Sequence, residues 1–318
     1  LQQFILGGAM RRRDREQLDR LYALLRHGPQ HIEGYQGIVI RGDHIEVEDN
    51  IVYGGGSCVA LNRATQARVA GNVLKAGASG QAMQCYSHLD WPDNPTPGNT
   101  GAKIEGSYTR DIIVEHNDCS ANCTTTRNLV NFMRGGENIH LAGNHIHDIP
   151  TTTDGEAMLT HLWFARWAEP TIEMTGPMSG RIIDPTGEVT DESLDGAVID
   201  IVGGRGVGQI RRIVRREGES FEIDKPWLAV PDASSQIVFT APPPFGPMNI
   251  VDNRIENAPI NIILWGNSRD IVVDGNYTAD GPGITVWSIR FKGDQKVWGG
   301  AAFTLVCNNT MDRGFSVP

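Results

Sequence analysis

Residues 138–146 of the chain have the sequence NIHLAGNHI: two apolar residues flank one polar residue, and a short polar segment with Asn leads to a further apolar residue. The same phrase recurs along the chain. Its other copies are HIEVEDNIV (44–52), ARVAGNVL (67–74), DIIVEHNDC (111–119), MNIVDNRI (248–255) and DIVVDGNYT (270–278), with a weaker copy, TLVCNNTM, at 304–311 near Asn308. A recurring short unit predicts a repeat protein, whose units stack and bury a continuous core.

Each phrase is followed by a turn and a second short apolar strand. These strands are SCVAL (57–61), QAMQC (81–85), NLVNF (128–132), EAML (156–159), INIILW (260–265) and GITVW (283–287). Asn50 and Asn72 are 22 residues apart (72 − 50), the length of one parallel β-helix coil, in which three short strands and their turns form a triangular rung. Alternating apolar residues then point into the solenoid. The corner tolerates Asn because Asn readily adopts left-handed backbone geometry, and stacked Asn side chains can hydrogen-bond along the axis.

The phrases cover most of residues 37–165 and 246–312, and they resemble those of the pectate-lyase-like right-handed parallel β-helix superfamily. This superfamily contains polysaccharide lyases, glycoside hydrolases, sugar-polymer epimerases, phage tailspikes and adhesins. The resemblance implies an all-β fold, a right-handed parallel β-helix solenoid. It leaves the reaction open, because one fold hosts many activities.

Four segments are predicted along the chain: an N-terminal segment (1–36), β-helix rungs (37–165), a small inserted β-domain (166–246) and further rungs (247–318). The N-terminal segment has Leu at helical spacing within 11–26, which predicts an amphipathic helix that caps the first rung. The insertion is predicted because the Asn phrase is missing for 109 residues (253 − 144) and alternating strands flank an EGES turn. No comparable C-terminal cap follows, so both a monomer and a β-helix trimer stay open.

The chain has 28 Lys and Arg against 38 Asp and Glu, and its formal net charge of −10 argues against nucleic acid or an anionic membrane as partner. No apolar run approaches the ~18 residues that a membrane span needs. The five Cys match no zinc spacing; we expect buried thiols, with a local Cys119–Cys123 pair as the alternative. An extracellular or periplasmic location is expected, although no signal peptide is visible.

The candidate catalytic residues come from the polar stretch 144–166, NHIHDIPTTTDGEAMLTHLWFAR. Asp154 and Glu156 are two residues apart, so on a strand they share a face at about 6.5 to 7 Å between Cα atoms. Hydrolysis of a glycosidic bond needs two such carboxyls. The alternative is that neither residue is catalytic: Asp154 then belongs to an ordinary Asp-Gly turn, and Glu156 begins an exposed strand.

A lyase would need different groups from this region: a base for the proton beside a uronate and a cation for the resulting anion. His147 or His161 could supply the base, and Arg134 or Arg166 the cation. The predicted catalytic set is therefore Asp154, Glu156, His161 and Arg134.

The predicted substrate-binding residues surround this stretch. They are Asn131, His147, Trp163, Arg166, Trp265, Trp287 and Arg290. The three Trp occur on or just after the same type of strand in successive rungs, where outward-facing rings would stack on sugars and inward-facing rings would fill the core. Alternation favours an outward Trp287 if Ile284 and Val286 point inward.

Metal and cofactor expectations are weak. If Ile146 points inward, His145 and His147 both point outward, where they could bind a metal ion or be merely solvated. No cofactor is required; a divalent metal such as calcium stays possible, but no Asp cluster indicates a calcium site and the ligands of any metal stay unknown.

The sequence favours a carbohydrate-active enzyme that cleaves a polysaccharide in a groove along the solenoid. We favour a glycoside hydrolase slightly over a polysaccharide lyase, because carboxylates are better placed than Lys or Arg and an acidic chain suits a polyanion less well. The alternative is a non-catalytic carbohydrate-binding, adhesin or tailspike-like β-helix.

Overall fold

A computed structural model describes most of the chain. The described residues are 31–40, 42–62, 64–77, 80–86, 109–121, 128–133, 136–150, 155–161, 165–166, 171–183, 198–240, 246–266, 268–287, 289–290, 298–299 and 301–316. All regular structure within these ranges is β-strand. The predicted capping helix at 11–26 lies outside them. No helix in this part of the chain is long and apolar enough to cross a bilayer.

The repeats form three ladders of parallel strands, here called A, B and C. Ladder A contains β2 (Asp43–Glu48), β4 (Thr65–Ala70), β7 (Arg110–Glu115), β10 (Glu137–Ala142), β20 (Met248–Val251), β24 (Ile271–Asp274) and β30 (Leu305–Cys307). Every neighbouring pair in it is parallel and in register.

Ladders B and C share one long strand, β3 (Ile51–Asn62), which pairs with both. Ladder B continues with β5 (Val73–Ala76), β8 (Asp118–Ala121), β11 (His145–His147), β21 (Arg254–Glu256), β25 (Tyr277–Ala279) and β31 (Thr310–Met311). Ladder C continues with β6 (Gln81–Tyr86), β9 (Asn128–Met133), β12 (Glu156–His161), β22 (Ile260–Trp265), β26 (Ile284–Trp287) and β32 (Phe315–Ser316). β1 (His31–Ile40) pairs with β3 in parallel.

One strand from each ladder makes a rung, and the fourth rung, for example, contains β10, β11 and β12. The stacked rungs give an all-β, solenoid-like architecture of parallel sheets. Its interior is an apolar core formed by side chains at alternate positions of each strand, such as Ile139 and Leu141 in β10. The apolar–x–apolar pair of the repeated phrase therefore forms the inward face of ladder A.

A continuous column of Asn side chains runs along the solenoid at the corner between ladders A and B. Its members are Asn50, Asn72, Asn117, Asn144, Asn253, Asn276 and Asn309, and each Nδ2 donates to the Oδ1 of the next at 2.9 to 3.0 Å. The backbone N–H of each Asn before the last donates to the same Oδ1. The predicted Asn ladder is present and connects seven rungs.

The expected left-handed geometry belongs to the residue before each ladder Asn, so the predicted reason for Asn at the corner was wrong. The residues with positive φ are Asp49, Gly71, His116, Gly143, Asp252, Gly275 and Asn308. Gly and short polar residues tolerate this conformation best. In the last copy, Asn308 occupies the left-handed position and Asn309 joins the ladder. The ladder residue is Asn because a buried amide supplies both a donor and an acceptor along the axis.

Between the fourth and fifth rungs, the described residues of 165–166, 171–183 and 198–240 form a separate seven-stranded antiparallel sheet. Its strands are β13 (Ala165–Arg166), β14 (Thr171–Met174), β15 (Ser179–Ile183), β16 (Val198–Gly203), β17 (Ile210–Glu217), β18 (Ser220–Ile223) and β19 (Gln236–Thr240), in the order β13-β19-β16-β17-β18-β15-β14. This sheet has its own apolar cluster, which includes Phe221 and Phe239. Two further pairs of short strands are β23 (Ser268–Arg269) with β29 (Ala301–Ala302), and β27 (Ile289–Arg290) with β28 (Trp298–Gly299).

The solenoid stacks directly across this interruption. β10 pairs with β20 although the two are far apart in sequence, and Asn144 donates to Asn253 at 2.9 Å across 109 residues. Arg212 of the antiparallel sheet also forms an ion pair with Glu137 of β10. The insertion therefore leaves the stacking register of the rungs unchanged.

Three Cys lie inside the solenoid as free thiols: Cys58, Cys85 and Cys119. Burial raises the pKa of the Cys58 thiol to about 12, and it raises the pKa of the other two as well. Cys307 is a half-buried free thiol, and Cys123 lies outside the described residues. Cys119 is thus a core residue, as the buried-thiol expectation required.

We expect Asn144→Ala to lower the free energy of unfolding by about 2 to 4 kcal/mol, because the buried backbone N–H of Asn117 loses its acceptor and the side-chain hydrogen bonds of Asn144 to Asn117 and Asn253 are lost. Urea denaturation followed by circular dichroism measures this change. Asn249→Ala, on the exposed face of the neighbouring strand β20, is the matched control and should change it little. Equal effects of the two substitutions would contradict the role of the ladder.

We also expect the three core thiols to be protected from modification in the native protein. In a Cys123→Ser/Cys307→Ser variant at about pH 8, a disulfide reagent should label them on the order of a thousandfold more slowly than in denaturant, because they are buried and largely protonated. Rapid labelling of three thiols in the folded variant would contradict their placement in the core.

Candidate functional site

Two outward surfaces of the solenoid carry groups that can bind or react, one on ladder C and one on ladder B. On ladder C, Ile262, Leu264, Ile284 and Val286 point into the core. The residues between and after them therefore face outward. The register of ladder C aligns these outward positions in neighbouring rungs.

The clearest feature of the ladder C surface is a pair of Trp residues. Trp265 and Trp287 are paired in register at the ends of β22 and β26. Trp265 is half-buried, and Trp287 is 41% exposed. The rings thus belong to adjacent rungs, whose strands are about 4.8 Å apart, rather than to the apolar core.

His161 of the fourth rung is aligned with this pair through the backbone, because its Cα is the register partner of Trp265 in the fifth rung. Asn131 lies nearer the middle of the same face and is in register with Leu159. Its side chain is only 2% exposed, and among the described residues no partner hydrogen-bonds to its Oδ1. An amide acceptor is therefore held on the outward side of ladder C.

Glu156 begins strand β12 at the opposite edge of this face. It is 8% exposed, and Asn128 of the preceding rung donates its Nδ2 hydrogen to Glu156 Oε2 at 2.7 Å. His161 is five positions further along the extended strand, so the two Cα atoms are about 17 Å apart. A site that uses both groups must therefore extend across the width of ladder C.

The other predicted site residues are distributed differently. Asp154, Arg134 and Trp163 lie outside the described residues. Arg166 belongs to β13 and pairs with Phe239, so its backbone lies in the antiparallel sheet. Arg290 belongs to β27 and pairs with Trp298.

The surface of ladder B contains the densest cluster of titratable groups. Ile146 is fully buried, so His145 and His147 both point outward, as the alternation predicted. Their rings stack with centroids 4.1 Å apart and planes inclined by 20°. Asp118, one rung earlier, places Oδ2 at 3.4 Å from His145 Nδ1 and Oδ1 at 3.3 Å from His147 Nε2. One carboxylate thus faces both imidazoles.

The second nitrogen of each ring meets another carboxylate. His145 Nε2 is 2.9 Å from Glu256 Oε1, and His147 Nδ1 is 2.9 Å from Asp148 Oδ2. These two carboxylates are themselves held by donors. Arg254 Nη2 donates to Glu256 at 2.7 Å, and Asn257 Nδ2 donates to Asp148 at 2.6 Å.

These contacts lower the pKa of both carboxyls. The Arg254 hydrogen bond is the main cause for Glu256, and the Asn257 hydrogen bond is the main cause for Asp148, with the neighbouring His contributing in each case. The two outer carboxylates are therefore ionised and fixed in position at neutral pH.

Sequence reasoning found the two His and Asp148 but missed Asp118 and Glu256. Asp118, His145 and Arg254 each directly follow a ladder Asn, and Glu256 occupies the position of His147 in the next rung. Aligning the repeated phrases on their Asn would have brought these residues together.

We expect the contacts of ionised Glu256 to stabilise the fold at pH values above the ordinary carboxyl pKa and to be lost in acid. Because its pKa is lower in the folded than in the unfolded chain, the unfolded chain binds more protons as the pH falls from about 5 to about 3. Stability should therefore decrease over this range, and the decrease in Tm should be shallower in Glu256→Gln. Glu173→Gln, an exposed carboxyl on β14, is the control. An unchanged slope in Glu256→Gln would contradict this account.

Comparison with known proteins adds no assignment: no protein-family model matches the chain, and no curated protein sequence matches it significantly.

Proposed function

We propose that the chain is a carbohydrate-active protein of the right-handed parallel β-helix type, similar to the pectate-lyase-like superfamily, and that it holds a polysaccharide against the outer face of ladder C. The stacked parallel ladders and the continuous Asn ladder support the fold assignment. The observation that carries the functional proposal is the outward pair Trp265 and Trp287 on adjacent rungs.

Aromatic rings aligned along a solenoid suit a polymer of sugars. A sugar ring presents an apolar face of C–H groups that packs on an indole, while its hydroxyls need hydrogen-bond partners at the edges. Asn131 lies on the same face, but at 2% exposure it would have to be uncovered before it could contact a sugar hydroxyl. His147 lies on ladder B instead, so the proposed groove does not include it.

Hydrolysis is the reaction we favour, with Glu156 and Asp154 as the carboxyl pair. Glu156 lies on ladder C, and its contact with Asn128 gives it a defined orientation. Elimination through His161 and Arg134 is the second possibility. Trp163, Arg166 and Arg290 would extend the substrate contacts.

A non-catalytic carbohydrate-binding, adhesin or tailspike-like role is the alternative function. It is favoured by the low exposure of Glu156, since a carboxyl that is 8% exposed and hydrogen-bonded to Asn128 resembles a structural group. Binding and cleavage must therefore be tested separately.

Binding is tested against a panel of neutral and uronate-containing polysaccharides, by affinity electrophoresis and calorimetry. For a polysaccharide that binds, Trp287→Ala should weaken the affinity about tenfold, because one stacking contact is lost. Tyr53→Ala, an exposed aromatic residue of β3 on ladder B, is the matched control and should bind normally. Absence of binding across the panel, or equal losses in both variants, would reject the proposed groove.

Cleavage is followed on the same panel by reducing ends and by the absorbance of unsaturated uronates. Reducing ends without absorbance, abolished in Glu156→Gln while binding persists, would establish a hydrolase. New absorbance would establish a lyase and direct attention to His161 and Arg134. Binding without either product would establish the non-catalytic alternative.

A further inference from the structure

We propose that Asp118, His145 and His147 form a binding site for a divalent transition-metal ion, with Zn²⁺ as the best match to the donor set. Each residue offers one ligand atom, and these atoms all lie within 4.8 Å of one another. The site is on ladder B, whereas the proposed polysaccharide groove is on ladder C. The inference therefore stands independently of the proposed function.

The ligand atoms are close enough together to share one small cation. Zn²⁺ binds imidazole nitrogen at about 2.0 to 2.1 Å and carboxylate oxygen at similar distances, so neighbouring ligand atoms in a tetrahedron are about 3.4 Å apart. One oxygen of the Asp118 carboxylate, Oδ2, lies 3.4 Å from His145 Nδ1, and the other, Oδ1, lies 3.3 Å from His147 Nε2. The three groups are thus spaced to share one small cation.

The outer hydrogen bonds prepare both imidazoles to be ligands. In metal sites the non-ligating nitrogen of a His usually donates its hydrogen to a carboxylate, which fixes the tautomer and increases the basicity of the ligating nitrogen. Glu256 has this position at His145 Nε2, and Asp148 has it at His147 Nδ1, each at 2.9 Å. Arg254 and Asn257 hold the two carboxylates in turn.

Three carboxylates concentrate negative charge around the two imidazoles. With hydrogens on the outer nitrogens, the lone pairs of His145 Nδ1 and His147 Nε2 face the Asp118 carboxylate and repel it. A divalent cation between the three groups would replace this repulsion by attraction to all three.

The donor set selects the class of ion. Two imidazoles and one carboxylate suit Zn²⁺ and other borderline transition metals, whereas Ca²⁺ and Mg²⁺ prefer oxygen ligands throughout. Three protein ligands leave a fourth position for water in a tetrahedral site. The side chains are 45%, 37% and 19% exposed for Asp118, His145 and His147, so an ion can enter from solvent.

The site would also connect rungs on both sides of the insertion. Asp118 belongs to the third rung and the two His to the fourth, while Glu256 belongs to the fifth rung, after the antiparallel sheet. A bound ion should therefore stabilise the fold through linkage, because the unfolded chain does not bring these residues together.

The test uses the full chain without a histidine tag, stripped with a chelator and titrated with Zn²⁺ in competition with a chromophoric chelator. We expect one ion per chain and an increase in Tm on adding Zn²⁺, with no comparable effect of Ca²⁺. His147→Ala should lose at least about a hundredfold in affinity, as should Asp118→Asn. His140→Ala removes a half-buried imidazole of the neighbouring strand β10 and should bind like the wild type.

Glu256→Gln tests the carboxylate that positions His145, without removing a ligand of the ion. It should retain a stoichiometry of one but bind about 10- to 100-fold more weakly, as expected for an outer carboxylate. Co²⁺ bound to the wild-type chain provides a readout that needs no variant, because its visible spectrum reports tetrahedral coordination with nitrogen donors. No stoichiometric Zn²⁺ binding, a Co²⁺ spectrum like that of the aqueous ion, or unchanged affinity in a folded His147→Ala variant would each overturn the proposal.

Discussion

The buried column of Asn side chains is the interaction on which the rest of the structure depends. The amides from Asn50 to Asn276 are nearly inaccessible to water, and within the column, as at Asn117, their hydrogen-bonding groups are satisfied by the Asn of adjacent rungs and by neighbouring backbone carbonyls. A slip of one residue between two rungs would leave buried amides unpaired and turn every outward side chain inward. The column therefore fixes the register of each rung, even between Asn144 and Asn253, where 109 residues intervene.

A fixed register converts each outward strand position into a column of side chains. On ladder B, the position after the ladder Asn brings together Asp118, His145 and Arg254, and the position two residues later brings Glu256 beside His147. On ladder C, the last outward position aligns His161, Trp265 and Trp287. Each cluster of polar or aromatic side chains is thus formed by residues of several rungs, which are distant in sequence but occupy equivalent positions of the repeat.

The two surfaces differ in physical character. The ladder B cluster is charged, with three carboxylates around two stacked imidazoles, and it is the surface for which we propose a small cation. The ladder C surface has exposed indole at one edge and a buried amide near its middle, and it is the surface for which we propose a polysaccharide ligand. Because they lie on separate ladders, each can be altered by substitution without touching the other.

The sequence alone determined the stacked parallel rungs, the inward apolar pairs, the Asn ladder and the outward direction of His145 and His147. These features repeat locally, and each follows from alternation within a single strand or from the polar groups of one side chain. The left-handed corner was assigned to the wrong residue, because Asn is suited both to positive φ and to a hydrogen-bonded ladder. Only the geometry separates Asn308, which has the first role, from Asn309, which has the second.

Tertiary structure alone decided which residues meet across rungs. The distance from Asp118 to His147 depends on the stacking register, and the approach of Glu256 to His145 also depends on how the chain returns after the antiparallel sheet. The same holds for Glu156. The sequence allowed it to be an exposed residue at the start of a strand, but in the structure it is buried and hydrogen-bonded to Asn128. Local alternation specifies which side of a strand a residue faces, but its neighbours on that side come from other rungs, and their identity is a property of the folded stack.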